Sequence, residues 1–198
     1  VATMAGASDK RGALSNDDMR HACPMTEAIT FRTGRVHDVA AIQAVEVDAG
    51  QRFRDVAMAP VAEDKPPDGR LLRRYIEGEQ LWVATHGRDI VGYAMAQRID
   101  DHAHVDQVSV IRRFAGQRIG ATLLQTAGDW AHAQGAHQLT LFTFENVPWN
   151  APYYRRLGFV DVDPESIGPG LKKIWDLELL TDLPDWNRIV LARTPVSV

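Results

Sequence analysis

A glycine-bearing loop between a strand pattern and a helix pattern is the part of this 198-residue chain best suited to chemistry. Polar and apolar residues alternate over His104–Val110, which is typical of a half-buried strand. The letters IRRFAGQRIG follow, and a long apolar stripe of helical spacing begins directly after them. Backbone N–H groups at a helix start lack partners, and Gly116 and Gly120 would let an anion approach them closely. The loop also concentrates positive charge, on Arg112, Arg113 and Arg118.

Other phosphate-binding motifs are absent from the sequence. No G-x-x-x-x-G-K-[ST] occurs, which argues against a P-loop nucleotide hydrolase, and no G-x-G-x-x-G follows a strand pattern, which argues against a dinucleotide-binding Rossmann unit. The loop therefore predicts a pyrophosphate site of another kind. By itself it is equally compatible with a plain strand-to-helix connection, in which glycines allow the turn and arginines favour solubility.

A single α/β domain over residues 25–198 is predicted to position this loop, because no internal repeat and no second apolar core is visible. The polar, aperiodic residues 1–24 are expected to form a flexible extension. The predicted elements of the first half are a strand at Ile29–Phe31, a helix from Val39 capped by Asp38, a surface loop at Pro60–Arg70, a helix near Leu71–Ile76, and strands at Leu81–Thr85, Ile90–Ile99 and His104–Val110. Those of the second half are a helix from Ile119, a strand at Leu139–Phe144 parallel to the preceding one, a short helix at about Ala151–Leu157, a turn-rich segment DVDPESIGPG, a helix over Leu171–Leu180 and a strand at Arg188–Ala192.

Composition excludes several classes of protein. A formal charge of −4 and a pI near 6.0 give no reason to expect nucleic-acid binding. Cys23 is the only cysteine, so an intramolecular disulfide and a multi-thiolate metal site are excluded. No apolar run approaches the roughly 20 residues that span a bilayer, and residues 1–24 lack the apolar core of a secretory signal. A cytoplasmic protein without membrane contact is expected.

Two segments together resemble the GNAT (GCN5-related) N-acetyltransferases. The letters VSVIRRFAGQRIGATLL look like the family's acetyl-CoA motif, [RQ]-x-x-G-x-[GA] after a strand, and FENVPWNAPYYRRLGF is similar to its later motif, in which Asn and Tyr precede Gly-Phe. Ala115 stands where Arg or Gln is usual, and Arg118 stands where the first glycine is usual. The resemblance covers about residues 28–193. It implies a mixed, mostly antiparallel sheet of about six or seven strands, splayed at the cofactor site and flanked by helices.

The resemblance also implies roles for individual residues. It implies that Tyr154 protonates the leaving thiolate and that an acidic residue on the strand, Asp106, serves as general base. Main-chain N–H groups near Val110 would polarise the thioester carbonyl where the strands separate. The residues expected to hold acetyl-CoA are Val108, Ser109, Val110, Ala115, Gly116, Gln117, Arg118, Ile119, Gly120, Ala121, Asn146 and Asn150. Aromatic residues at core spacing, Trp149, Tyr153 and Phe159, are expected to pack in the interior, although Phe53 and Trp149 are also candidates for the acceptor groove.

Several points remain open at the level of sequence. Glu46 or a water molecule could replace Asp106 as the base. His102 and His104 share a strand face, but no third ligand follows them, so no metal is expected. The acceptor would be a small-molecule or peptide amine, bound between Val36–Arg54, Leu71–Glu77 and Asp161–Leu180, and a homodimer is common in the family. A non-catalytic CoA-responsive module is the alternative function, and residues 1–24 could instead be an arm that recruits a partner.

Overall fold

Seven strands form one continuous sheet in the computed structural model, which describes residues 27–181 and 186–195. The expected extension, residues 1–24, lies outside these ranges. The strands are β1 Ile29–Thr33, β2 Leu81–His86, β3 Asp89–Ile99, β4 His102–Val110, β5 Leu139–Phe144, β6 Val160–Val162 and β7 Arg188–Arg193, in the spatial order β1-β2-β3-β4-β5-β7-β6. Neighbours are antiparallel except β4 and β5, which are parallel as predicted, because a helix carries the chain from one to the other. The mixed α/β class is confirmed.

Helices cover both faces of this sheet. They are α1 Val39–Gly50, α2 Ala59–Ala62, α3 Gly69–Glu77, α4 Ile119–Ala133, α5 Ala151–Arg156 and α6 Pro169–Thr181. Strand alternation divides the core in two, as β2 illustrates: Trp82 and Ala84 pack with the stripe of α4, whereas Leu81 and Val83 pack with α1 and α3. The α4 face and the α1/α3 face are therefore separate surfaces of one sheet.

Three local predictions were wrong. Strand β6 lies partly in the segment expected to be all turns, because three residues suffice to pair with the edge of β7. The loop expected at Pro60–Arg70 overlaps helix α2, which tolerates Pro60 in its first turn. Asp38 does not cap α1 with its side chain: its carboxylate accepts hydrogen bonds from the Arg32 guanidinium (2.7 Å) and from the Arg35 N–H (2.7 Å).

The sheet opens between β4 and β5. These strands pair only from Ala103 opposite Leu139 to Val105 opposite Leu141. Beyond that point β4 stays with β3 and β5 stays with β7, so the gap begins earlier than the predicted position near Val110. A bulge against β3 falls at the same place, since Ala96 pairs with Val105 but Met95 pairs with Gln107. Asp106 is the extra residue of this bulge.

No helix among the described residues is long and apolar enough to cross a membrane.

Candidate active site

The loop before α4 has the backbone geometry of an anion-binding turn. A short 3-10 turn at Arg112–Phe114 leads to Gly116, whose φ of 82° is left-handed and which faces open space where a side chain would begin. Arg118 precedes α4 and is also left-handed, with φ 62° and ψ 9°. Arg118 therefore adopts the conformation that a glycine would adopt most readily at this position. The first N–H groups of α4, from Ile119 to Ala121, lie in its first turn, where an α-helix provides no partners for them.

Tyr153 lies at this helix start, contrary to the prediction that its ring fills the core. A Cβ atom built on Gly120 would lie 3.4 Å from the Tyr153 hydroxyl. Burial raises the pKa of that hydroxyl, whereas the Arg118 and Arg156 guanidinium groups and the Ala121 N–H partly oppose the increase. The side chains of adjacent helix residues point in different directions, so the rings of Tyr153 and Tyr154 lie in different surroundings. The remaining core prediction holds for Phe159, which is buried.

The free edge of β4 presents two main-chain N–H groups. Ile111 donates its N–H to the Val91 carbonyl of β3 (3.0 Å). Since N–H groups along a strand alternate in direction, that of Ser109 also faces β3, and those of Val108 and Val110 face the edge that β5 has left. The Ser109 hydroxyl is on the α1/α3 face. The Ser109 side chain is therefore directed away from the α4 side, and its place among the cofactor-binding residues remains a prediction.

Glu46 on α1 accepts hydrogen bonds from side chains on the α1/α3 face of the sheet. Its carboxylate accepts hydrogen bonds from the Tyr93 hydroxyl (2.7 Å), the Gln107 amide (2.8 Å) and the Ser109 hydroxyl (2.7 Å). Burial, followed by the Glu46 charge, raises the pKa of Tyr93 well above its ordinary value. A carboxylate held by three donors is a positioning group, and it is less available than expected as a base for an incoming amine.

Asp106 is in a different environment. Its Oδ1 accepts a hydrogen bond from the Gln97 amide (2.5 Å), whereas its buried Oδ2 has no hydrogen-bond partner among the described residues. Burial raises the pKa of Asp106 to about 6, an increase that Glu178 supports and Gln97 partly opposes. The Tyr75 hydroxyl lies near enough to favour the charged form, but outside hydrogen-bonding geometry with Oδ2. Such a carboxylate is ionised at neutral pH and is a stronger base than an ordinary aspartate.

A cavity of about 300 Å³ adjoins Asp106 on the α1/α3 face, where β4 and β5 separate. It is lined by His104, Val105, Asp106, Gln107, Phe142, Glu178 and Arg188. His104 is buried against the Phe142 ring, and burial lowers the pKa of its imidazole to about 3. The ring is therefore neutral at physiological pH. No group of three or more potential metal-ligating side chains occurs in the part of the chain that the structure describes.

Helix α5 places the residues of the second predicted motif on the α4 side. Tyr154 packs against the core beneath α4, with its ring 6.0 Å from Phe159 and 5.6 Å from Tyr153 between centroids. Burial raises the pKa of its hydroxyl, so this group stays protonated. Asn150 precedes α5 and its side chain makes no capping hydrogen bond, while Asn146 is exposed in the turn after β5. Both amides are thus available to a ligand, although their predicted roles remain predictions.

One known protein family matches the part of the chain that carries this site. The sequence profile described as the acetyltransferase (GNAT) family matches residues 36–159, more than half of the chain, and this range includes the anion-binding turn, the open strand edge and α5. The chain belongs to the GNAT acetyltransferase family.

Solved GNAT structures share the fold at low sequence identity. N-acetylglutamate synthase from Neisseria gonorrhoeae, complexed with coenzyme A and N-acetyl-glutamate, matches with a TM-score of 0.66 and 14% identity, over 86% of this chain and 36% of that one. This chain thus spans just over a third of the synthase. The ribosomal-protein-S18-alanine N-acetyltransferase from Escherichia coli matches with a TM-score of 0.59 and 17% identity, over 86% and 96%. PaiA N-acetyltransferase from Thermoplasma acidophilum, in complex with coenzyme A, gives 0.58 and 13%, over 84% and 99%.

Helix α6 contributes one wall of the cavity. Asp100 in the β3–β4 turn accepts hydrogen bonds from the N–H groups of Gly170 (3.0 Å) and Leu171 (3.2 Å), which holds the start of α6. Trp175 packs its ring on Phe142, 4.9 Å between centroids. One turn later, Glu178 accepts a hydrogen bond from Arg188 (2.8 Å) and lines the cavity. The segment 161–180 therefore forms part of this wall, where the acceptor groove was predicted.

The other predicted groove residues form an aromatic cluster beside β5. The Phe53 ring lies 5.8 Å from both Phe144 and Trp149, and the Arg52 guanidinium lies 4.3 Å from the Trp149 ring. This cluster ties the α1–α2 connection to the end of β5 and does not line the cavity. Sequence reasoning did not single out Glu178 or Arg188, because nothing in their local pattern distinguishes them from surface charges.

Proposed function

We propose that this protein transfers an acetyl group from acetyl-CoA to a primary amine by direct attack, without a covalent enzyme intermediate. The observation that carries the proposal is the placement of the free β4 edge. The N–H groups of Val108 and Val110 lie between an anion-binding helix start on the α4 side and a cavity with a basic carboxylate on the other side. Two substrates entering from opposite faces would meet at this edge.

The residues present fit acetyl-CoA, which supplies the activated thioester. Backbone N–H groups at the start of α4, and the open space at Gly116, suit a pyrophosphate. The Arg118 side chain adds positive charge beside them. Asn146 and Asn150 are proposed to hold the pantetheine arm.

Asp106 is the proposed general base. A primary ammonium group with a pKa of about 10.4, or about 8 for an α-amine, must lose a proton before it can attack. The Asp106 carboxylate, which lines the cavity, accepts that proton, and its pKa of about 6 makes it a better acceptor than an ordinary carboxylate. As the N–C bond forms, the N–H groups of Val108 and Val110 stabilise the negative charge on the carbonyl oxygen. The C–S bond then breaks, and Tyr154 donates its hydroxyl proton to the departing thiolate. The amine nitrogen releases its second proton as the amide forms, and this proton returns Tyr154 to its neutral state.

A thiol-release assay with a chemically diverse amine panel tests this proposal. Acetyl-CoA at about 100 times its dissociation constant should stabilise the protein by about 2.7 kcal/mol, and at least one amine should release free CoA. Asp106→Asn should abolish release, whereas Asp64→Asn, at an exposed loop position, should not. Stabilisation by acetyl-CoA without release from any amine would instead support a non-catalytic CoA-responsive module. We further propose that the reaction takes place in the cytoplasm and involves no metal, nucleic acid or membrane.

A further inference from the structure

The residues that line the cavity beside Asp106 include two carboxylates, which can only accept hydrogen bonds. The Asp106 Oδ2 atom is buried and has no hydrogen-bond partner among the described residues. Glu178 contributes a second carboxylate from α6, on another wall. The amide of Gln107, a donor, is held by Glu46 (2.8 Å) and Ser109 (3.0 Å). The guanidinium of Arg188 donates to Glu178 (2.8 Å).

His104 adds another acceptor, because its tautomer follows from its neighbours. The Thr140 hydroxyl donates its single proton to the Ala103 carbonyl (3.1 Å). It can therefore only accept from the His104 Nδ1, which lies 2.9 Å away. Nδ1 carries the proton, and Nε2 of this neutral ring carries a lone pair. His104 thus presents an acceptor nitrogen and no positive charge.

The charges of the lining residues leave the cavity negative. Among the described lining residues, Glu178 and Arg188 pair with each other, so the net charge of one negative unit is that of Asp106. A primary ammonium group has three donors and no acceptor, which complements the Asp106 carboxylate. A carboxylate placed in the same space would lose water and meet Asp106, while Glu178 occupies the guanidinium that could otherwise attract it. The volume of about 300 Å³ admits a small amine.

We propose that the acceptor is a small primary amine that carries no carboxylate, and that Glu178 is a specificity-determining residue of its site. This inference rests on the proposed acetyl transfer and narrows its acceptor. Free amino acids are rejected because of their charge, not their size. Amines of the same skeleton that lack the carboxylate are accepted.

Matched acceptors separate charge from size. The first set is tyramine, tyrosine and tyrosinamide, which share a side chain. Tyrosine and tyrosinamide have almost the same shape but differ in charge. Agmatine, arginine and argininamide form a second set of the same design. The measurement is kcat/KM for thiol release, corrected for the fraction of free amine at the assay pH. In at least one set, kcat/KM for the amine and for the amide should exceed kcat/KM for the amino acid by about tenfold or more. This is the effect expected of one unit charge across a partly solvated site. If tyrosinamide is rejected as strongly as tyrosine while tyramine reacts, size is decisive and the charge argument is overturned.

Variants assign the selectivity to the cavity. Glu178→Gln makes the lining neutral and should reduce the preference for amine over amino acid by about tenfold. Asp176→Asn is the matched control, since it removes the same charge from the same helix and also breaks an ion pair, with Lys172 (3.3 Å), outside the cavity. It should leave the preference unchanged. Thermal stabilisation by acetyl-CoA checks that each variant is folded. If Glu178→Gln does not fold, the kcat/KM ratios of the wild-type protein for the matched acceptors still decide the question.

The possible failures are distinguishable. Acetylation of amino acids as efficient as that of the matching amines overturns this inference but leaves acetyl transfer intact. Release of CoA from no acceptor of any kind means that the proposed function itself is wrong.

Discussion

Asp106→Asn should stabilise the protein at neutral pH even though it abolishes the proposed activity. The pKa of Asp106 in the folded protein is about 6, against an ordinary value of 3.8. Because the folded state binds this proton more tightly, the stabilisation that protonated Asp106 provides is complete below pH 3.8 and is lost as pH rises through 6. The difference in pKa corresponds to about 3 kcal/mol. Asparagine keeps the shape and the contact with Gln97 but cannot ionise.

Chemical unfolding in urea at pH 4 and at pH 8 measures this effect. The free energy of unfolding of Asp106→Asn, relative to wild type, should be about 2.5 kcal/mol greater at pH 8 than at pH 4, because the unfolded chain is already partly ionised at pH 4. Asp64→Asn, which removes the same charge from an exposed loop, is the control. In thermal unfolding at pH 8, about 3 kcal/mol corresponds to a midpoint about 6–12 °C higher for a chain of this size.

The pH dependence of catalysis should mirror this result. In the wild type, kcat/KM should fall as pH decreases through about 6, because protonated Asp106 cannot accept the proton of the amine. If Asp106→Asn gains no stability between pH 4 and pH 8 relative to wild type, burial does not raise this pKa and the reasoning is refuted. If kcat/KM has no inflection near pH 6, Asp106 is not the base.

Substitutions at three further positions test the rest of the site. Arg118→Gly should keep the free energy of unfolding or raise it by up to about 1 kcal/mol. Arg118→Val should lower it by about 1–2 kcal/mol, because a β-branched residue is strained at φ 62°. Equal thermal midpoints of the two variants would show that the left-handed backbone at this position causes no strain. Tyr154→Phe should lower kcat by about 100-fold and leave the thermal shift with acetyl-CoA unchanged, and undiminished turnover would remove the hydroxyl from the mechanism. Glu46→Ala should lower the free energy of unfolding in urea by about 2–4 kcal/mol, since it removes the acceptor of three hydrogen bonds, and Glu46→Gln should lower it less. No loss in either variant would show that the hydrogen bonds to Glu46 do not stabilise the fold.

The sequence determined the elements and the loop at the centre of the site. Alternation in β4, the helical stripe of α4 and the glycines between them are local patterns, and each is determined by residues a few positions apart. The order of elements around Leu139–Phe144 also determined that β4 and β5 are parallel, because a connecting helix permits no hairpin. Where local signals were weak, as in the three residues of β6, the sequence pattern failed.

Only the tertiary structure decided how the charged side chains divide their roles. Sequence favoured Asp106 as the base but left Glu46 as an alternative, since both are carboxylates near the loop. Folding gives Glu46 three donors, on residues that are 47, 61 and 63 positions away, and leaves one oxygen of Asp106 buried without a hydrogen bond. A pKa depends on burial and on neighbouring charges, and these come from residues far apart in the chain. For the same reason, a cavity that combines β4 with Glu178 of α6 could not be read from either segment alone.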